Sequence, residues 1–488
     1  MIRALLWRGF RFAFGMFSLL SLSAVAIFRD GALFQRPSKK EKEELTAAQE
    51  KFWDLSKNPL PGLNHKFVTL KNGIKLHYVV NHGPDSPNWK NVTIFIHGFP
   101  DSYLLWRHLL TSPTLSQSSI LIAVDLPGYG GSDGLPNYSP EFMLEIMTAF
   151  ILRMRERYLR QGVKFYTVAH DWGGIVGARL AAEAPQLADR WIILSAVLPQ
   201  QAYSNVTQKV ASSKQMLHTW LHWPFSSRLL KKALTTISPV LSQGGRSFYI
   251  FVMNLPKPLA NWFGGMGNFW FLRIIHKVQA GKLNAEGKIT GDVHGKEKAE
   301  YMAVTTGPGL EQFATGVEKE GKKESYSEDV KKRIKDYGWS EKIRVYREGL
   351  ALSPWEKSLE TVVGLSEIES RPLRFGSGAG LFEDGPPGSL KAPATVIYGK
   401  MDTAFEPKLC LGGIGDYLVN RSQVVILEKG GHWLPFEEQG IKVLEAVTAW
   451  AVEGEKEPLR ARLERWKDVN IIVHKGAEVE YALSEQRA

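Results

Sequence analysis

The stretch Phe165-Tyr166-Thr167-Val168-Ala169-His170-Asp171-Trp172-Gly173-Gly174 decides how this chain is read. Its first four residues form a short apolar run, as expected of a strand covered on both faces. A helical pattern then runs from Gly174 to Glu183. Asp171 therefore falls on a sharp strand-to-helix turn, which the small residues at 169 and 173 allow to close. Such an elbow lifts one side chain above the C-terminal edge of a sheet and aims backbone N–H groups at whatever reacts there. An ionised carboxylate in that place attacks without a base, and attack on an alkyl carbon leaves an ester that a second step must hydrolyse. Taken alone, Asp171 reads better as a helix N-cap.

Two later residues turn the reading toward catalysis. Asp402, in Tyr398-Gly399-Lys400-Met401-Asp402, follows an apolar strand and a Gly turn, and His432, in Gly430-Gly431-His432-Trp433-Leu434-Pro435, follows the next strand. Each of the three follows the C-terminal end of a strand, which places them on one edge of a sheet, in the order nucleophile, acid, histidine. An imidazole there deprotonates water, and a buried carboxylate fixes its tautomer and stabilises the imidazolium. His97-Gly98-Phe99-Pro100 ends the run Val92 to Ile96, so the Phe99 N–H joins that of Trp172 as an oxyanion donor. His97, Pro100 and Trp106 are expected to line the substrate site. The glycine-rich loop Asp125 to Asp133 reads as structural.

Outward from these motifs, the apolar runs Ile120 to Val124, Trp191 to Leu194, Ala394 to Tyr398 and Val424 to Leu427 predict further strands of a mostly parallel sheet. Val68 to Leu70 and Ile74 to Val80 form a hairpin about Lys71-Asn72-Gly73. Helices fall at Glu141 to Leu159 and from about Gln439 to Val452. Between Leu198 and Ala392 the alternation of strand and helix is lost, which predicts an insertion into one α/β domain. The expected division is 1–40 as a hydrophobic anchor or targeting segment, 60–198 and 391–453 as two parts of the core, 199–390 as the insertion, and 454–488 as a charged tail. Within the insertion, 279–336 reads as a polar excursion, and Gly376 to Gly380 with Gly385 to Gly388 marks the return linker. Residues 37–50 read as a solvated linker or helix, with folding proper starting near Phe67.

Composition narrows the class. A chain of 488 residues with 44% apolar and 11% aromatic content is not disordered. The lone Cys410 excludes an intramolecular disulfide and a thiolate zinc cluster. No metal or organic cofactor is implied. The net charge is +11, and between Gln201 and Ala285 there are ten Lys or Arg and no Asp or Glu, interleaved with bulky aromatics from Trp220 to Phe271. This pattern fits either an anionic lipid surface or a solvated basic face. No nucleic-acid module is legible, so no nucleic-acid partner is expected. Phe12 to Phe28 is an uncharged run of seventeen, preceded by Arg3, Arg8 and Arg11. It reads as a membrane anchor, with endoplasmic reticulum the favoured location. A secretory signal cleaved near Ala24-Val25-Ala26 and a mitochondrial presequence are the alternatives. Arg29, Arg36, Lys39, Lys40 and Lys42 balance the N-terminal arginines, so orientation is undecided.

Together these residues resemble the α/β-hydrolase superfamily, and the combination His-Gly-Phe-Pro, His-Asp-Trp-Gly-Gly and Gly-His-Trp resembles its epoxide hydrolase branch, over about residues 60–278 and 337–453. The resemblance implies an α/β-hydrolase fold with a mostly parallel sheet and a large, mainly helical cap inserted after the sixth strand. It also implies two cap tyrosines that hold and protonate the epoxide oxygen. The family pattern Tyr-x-x-x-Phe-Gln-x-Pro is similar to Tyr249-Ile250-Phe251-Val252-Met253-Asn254-Leu255-Pro256, with Met for Phe and Asn for Gln. The family's Tyr-Arg pair resembles Tyr346-Arg347, followed by Trp355. The expected reaction opens a lipophilic, fatty or aryl, epoxide to a vicinal diol through an ester on Asp171, hydrolysed by water that His432 activates with Asp402, with Tyr249 and Tyr346 as acids. Two alternatives stay open. One is a hydrolytic dehalogenase on the same nucleophile, although Phe99 stands where haloalkane dehalogenases commonly have Asn and Trp172 where fluoroacetate-type enzymes usually have Arg. The other is a catalytically silent, membrane-bound binding protein.

Overall fold

The computed structural model describes residues 2–83, 89–158, 160, 162–224, 226–282, 289–319, 321–368 and 385–474. Apolar runs become strands where the sequence predicts them: β1 (Asn64–Thr69), β2 (Lys75–Val80), β3 (Asn91–Ile96), β4 (Ser119–Val124), β5 (Lys164–His170) and β6 (Arg190–Leu194). β7 (Val317–Lys319) and β8 (Lys322–Glu324) form a separate small hairpin, and β9 (Ala394–Gly399), β10 (Gln423–Leu427) and β11 (Val469–His474) complete the set. Nine of them make one sheet in the order β1-β2-β4-β3-β5-β6-β9-β10-β11. Its centre, β4-β3-β5-β6-β9-β10, is parallel, while β1, β2 and β11 pair antiparallel at the two sides. Every residue of β3, β4, β6, β9 and β10 is buried, because helices cover both faces, and this explains why these strands lack polar alternation.

Register makes the strand ends flush. Ile96 pairs with Ala169, His170 with Leu194, Leu194 with Ile397 and Tyr398 with Ile426. The loops after β3, β5, β9 and β10 therefore leave from one edge, the place where open parallel sheets hold their ligands. After β6 the chain leaves the sheet for the helices Pro199–His222, Ser227–Arg246, Phe248–Met253, Lys257–Gln279 and Gly295–Thr306, and among the described residues the next strand of the sheet is β9.

Three expectations need correction. Residues 37–50, read as a solvated linker or helix, hold the start of the helix Lys39–Trp53, opened by a capping box between Ser38 and Glu41, but that helix is not left in water. Its last turn buries Phe52 and Trp53, and the Trp53 indole donates to the Ala303 carbonyl at 3.0 Å. The 279–336 stretch is not a polar excursion either. Tyr301, Ala303, Val304, Tyr326 and Val330 are buried, and the Tyr326 hydroxyl donates to the Trp53 carbonyl at 2.8 Å. The charged tail carries a short helix, Leu459–Leu463, with both terminal leucines buried, and then β11, which extends the sheet. In each case scattered apolar residues do the packing while intervening Lys and Glu stay in water. The glycine run 376–380, Phe225 and residues 475–488 lie outside the described residues.

Candidate active site

Asp171 opens the helix Asp171–Glu183 directly after β5 with φ of 52°, a left-handed backbone that a non-glycine residue adopts at a cost of about 1–2 kcal/mol. Close packing holds it there. A β-carbon on Gly98 would stand 2.6 Å from Asp171 Cβ and 2.7 Å from the Trp172 nitrogen, and one on Gly173 would stand 2.5 Å from the Ile96 carbonyl oxygen. Only glycine lets the loop after β3 come this near the elbow. As a result the Phe99 N–H donates to Asp171 Oδ1 at 2.8 Å, with the Trp172 nitrogen close by.

The second oxygen faces the histidine. His432 Nε2 lies 3.7 Å from Asp171 Oδ2, and His432 Nδ1 donates to Asp402 Oδ2 at 2.9 Å. Asp402 is itself held by the backbone N–H groups of Ala404 (2.7 Å) and Phe405 (3.1 Å) through Oδ1. All three side chains are nearly or fully withdrawn from water, at 10%, 3% and 2% exposure for Asp171, His432 and Asp402. Burial alone would lower the His432 pKa. The Asp402 charge, the hydrogen bonds to Asp171 and Asp402 and the Asp171 charge outweigh burial and raise it to about 10.

Around this centre, buried and half-buried hydrogen bonds fix the geometry. The His170 Nε2–H donates to the His432 carbonyl at 2.9 Å, and burial lowers the His170 pKa to about 4, so that ring stays uncharged. The Glu437 carboxylate accepts the Gly431 N–H at 2.8 Å and thereby sets the turn before His432. Arg246, at the end of the Ser227–Arg246 helix, donates to the Asp402 carbonyl at 2.6 Å.

The two tyrosines of the insertion stand opposite. The Tyr346 ring lies edge-on to Trp172 at 4.8 Å and to Phe99 at 5.4 Å, and Tyr249 lies 6.3 Å from Tyr346. Desolvation, followed by the charge of Asp171 for Tyr249 and by Tyr249 and Asp171 for Tyr346, raises both phenol pKa values, so both groups remain O–H donors. Arg347, the partner in the Tyr-Arg pair, donates to the Met253 (2.6 Å) and Leu255 (2.8 Å) carbonyls and so clamps the Phe248–Met253 helix that carries Tyr249.

Two expected substrate contacts are corrected. His97 has no ring nitrogen to spare: Nδ1–H donates to the Gly98 carbonyl at 2.8 Å, and Nε2 accepts the Leu126 N–H at 2.9 Å. It ties the loop after β3 to the loop after β4. Trp106 is fully buried with its ring 5.4 Å from that of Phe95, which makes it part of the core. Pro100 sits in the turn itself, after a cis peptide bond from Phe99. The Asp125 loop is structural, as read from sequence: its carboxylate takes the N–H groups of Tyr103 (2.7 Å) and Gly131 (2.9 Å) and the His77 ring (2.8 Å).

One group at the site was missed. Asp101, next to Pro100, is fully buried and accepts from the Trp433 indole (3.0 Å) and the Gln279 amide (2.7 Å). Burial, only partly offset by these bonds, pushes its pKa up to about 7, and it is near enough to Asp171 and His432 to feel both charges. An acid inside an otherwise apolar motif was the available signal. Among the described residues no group of three or more His, Cys, Asp or Glu is arranged to hold a metal ion.

A carboxylate with one oxygen on a backbone donor and the other before an imidazole is arranged for covalent attack followed by hydrolysis. Comparisons with known proteins bear on the fold and on part of the chain. A model described as the alpha/beta hydrolase fold matches residues 91–226. Epoxide hydrolase 2 of Caenorhabditis elegans is 30% identical over 174 residues, covering 35% of this chain and 44% of its own length. Bifunctional epoxide hydrolase 2 of Sus scrofa is 33% identical over 129 residues, covering 25% and 20%. The chain thus spans less than half the length of these curated relatives. Among solved structures, a mutant epoxide hydrolase from Bacillus megaterium in complex with its diol product aligns with 80% of this chain and 99% of its own at 17% identity and TM-score 0.44, too distant a likeness to bear on the site. The matched model and the strand order agree on an α/β-hydrolase fold, and the curated relatives that this chain matches over part of their length are named epoxide hydrolases.

Proposed function

We propose that this protein hydrolyses a lipophilic epoxide to a vicinal diol through a covalent ester on Asp171. The observation that carries the reading is the opposed placement of Asp171 and the Tyr249–Tyr346 pair, with His432 behind the carboxylate. Asp171 Oδ2 attacks a ring carbon, the carbon–oxygen bond breaks, and a tyrosine O–H protonates the alkoxide as it forms. Oδ1, already on the Phe99 N–H, becomes the ester carbonyl oxygen. Esterification removes one of the two negative charges that hold the His432 proton, so His432 restores the phenol proton and becomes a free base. It then takes a proton from water, and the hydroxide adds to the ester carbon. The Phe99 and Trp172 N–H groups hold the oxyanion, and the intermediate collapses to diol and carboxylate. Epoxide and water are consumed, and the resting protonation returns. No metal or organic cofactor takes part in this scheme. The apolar N-terminal helix and the basic, aromatic excursion support attachment to a membrane, with the endoplasmic reticulum as the proposed location.

The test is a single turnover in H₂¹⁸O with enzyme in excess. Diol nearly free of label, and ¹⁸O in the peptide containing Asp171, is the expected result, because water attacks the ester carbonyl. Label in the first-turnover diol overturns the nucleophile assignment. Absence of turnover on aryl epoxides, fatty epoxides and haloalkanes alike favours a silent scaffold.

A further inference from the structure

The N-terminal helix (Ile2–Ala24) and the turn Val25–Arg29 that continues it distribute their residues opposite to a helix docked in water. Ser18, Ser23 and Ala26 are buried with Leu19 and Leu22 on the inner face. A β-carbon on Gly15 would stand 2.8 Å from the Phe251 carbonyl oxygen and 2.9 Å from Leu255, so the backbone lies directly on the Phe248–Met253 helix. Phe14 meets Phe251 edge-on at 4.7 Å, and Arg11 donates to Asn254 Oδ1 at 2.5 Å. Further along, Asp30 accepts from the Trp270 indole at 2.8 Å and Gln35 from Arg273 at 2.8 Å.

The outer face is bulky and apolar. Trp7, Phe10, Phe17, Leu20 and Phe28 are exposed, from 51% at Phe10 to 86% at Phe28. Gly15, Ser18, Ser23 and Ala26 on the inner face let the backbones approach, as in helices packed in lipid, where close approach decides the interface because burial from water does not. Water would not leave such a stripe uncovered. Arg8 and Arg29 flank it, and Lys231, Lys232 and Lys257 are exposed on the helices before and after Phe248–Met253, in a segment without acids, which complements anionic headgroups.

The inner contacts decide the orientation. Seventeen uncharged residues reach about 25 Å, slightly short of the roughly 30 Å hydrocarbon core. Phe14 and Gly15 lie inside that run and rest on Phe251 and Leu255, so a spanning helix would also draw the Phe248–Met253 helix, with the Asn254–Tyr346 and Arg347–Met253 contacts beside it, into hydrocarbon, where polar groups are costly. We propose that this helix lies in the plane of an anionic bilayer surface, its outer face about 5–10 Å into the headgroup boundary and its inner face holding the Phe248–Met253 helix that carries Tyr249. The chain is then attached to one leaflet without crossing it. A lipophilic substrate loads from that leaflet, a clause that rests on the epoxide hydrolase reading.

The sole cysteine, Cys410, is buried, so a cysteine introduced on the outer face is the accessible thiol of the full-length chain. Nitroxide labels on Phe10→Cys, Phe17→Cys and Phe28→Cys, in vesicles of equal parts phosphatidylcholine and phosphatidylserine, should report one shallow depth. They should be shielded from a water-soluble nickel relaxant and open to oxygen. A gradient with Phe17 deepest and the other two at opposite surfaces overturns the proposal, as does free access of the relaxant, or shielding that persists without vesicles because two copies have paired. This readout needs no turnover, so it stands or falls apart from the proposed chemistry. Phe10→Ser, Phe17→Ser and Leu20→Ser combined should weaken vesicle binding by about tenfold or more and leave turnover of a water-soluble epoxide unchanged. Loss of that turnover as well assigns the face a structural role and rejects the lipid assignment.

Discussion

Replacing Asp171 by Asn should lower the pKa of His432 by about three units. In the resting enzyme the imidazole stands between two carboxylates, Asp402 at 2.9 Å and Asp171 at 3.7 Å, and its pKa is raised to about 10. At the effective dielectric constant of about 20 that describes buried pairs, a unit charge at that second distance is worth about 4.5 kcal/mol, or about three pKa units. Asn keeps the size and a carbonyl acceptor and tolerates the left-handed backbone, so the change removes charge with little else. The assay is NMR titration of ring-labelled histidine in both proteins, with His432 assigned through His432→Gln. A second readout is stability. A histidine with a raised folded-state pKa stabilises below its ordinary value of about 6.5, and that stabilisation is lost as pH rises toward about 10. In Asp171→Asn the loss should be complete near pH 7. A His432 shift below about one unit would refute the argument that esterification itself turns this group into a base.

The remaining predictions concern single steps. Tyr346→Phe should slow ester formation by about 10²–10³, the usual effect of losing one donor to a developing oxyanion, as read by single-turnover trapping; an unchanged rate removes Tyr346 from the acid role. His432→Gln should form the ester and hold it, so intact-protein mass spectrometry should show the enzyme-plus-epoxide adduct persisting, whereas an enzyme that never gains the adduct contradicts the two-step scheme. Asp101→Asn should become more stable than the parent above about pH 7, because a buried acid with a raised pKa loses stability as pH climbs through its folded value, and the unpartnered Gln279 Oε1 can accept from the new amide. Thermal melts at pH 5 and pH 9 check this, and a parent that is the more stable at pH 9 contradicts it.

The elbow, the acid and the histidine were legible because each follows a strand buried on both faces, which writes a continuous apolar run ahead of a polar loop. The tyrosines were legible only through resemblance. What escaped the sequence depends on contacts across long separations. Phe52 and Trp53 end a helix of mostly charged residues, and nothing local shows that Ala303 waits 250 residues away to accept the indole. The histidine of His-Gly-Phe-Pro looked like a substrate contact, but both its nitrogens go to backbone, and only the adjacency of β3 and β4 reveals the Leu126 N–H. For the N-terminal run the apolar length was plain, but which side would meet protein was not, because that side is chosen by Phe251 and Leu255.

β11 has a role that its position at the margin of the sheet conceals. Val469 to His474 pairs with β10, the strand whose end leads into the turn before His432. Without it, β10 would become an open border strand, buried on both faces and lined with free N–H and C=O groups, the template on which sheets of separate molecules join. Val469 to His474 takes the border position in its place, with half-exposed residues where β10 has fully buried ones. A chain trimmed at residue 453, where the hydrolase pattern ends, would keep the residues of the proposed chemistry and move that border onto the strand that leads to His432.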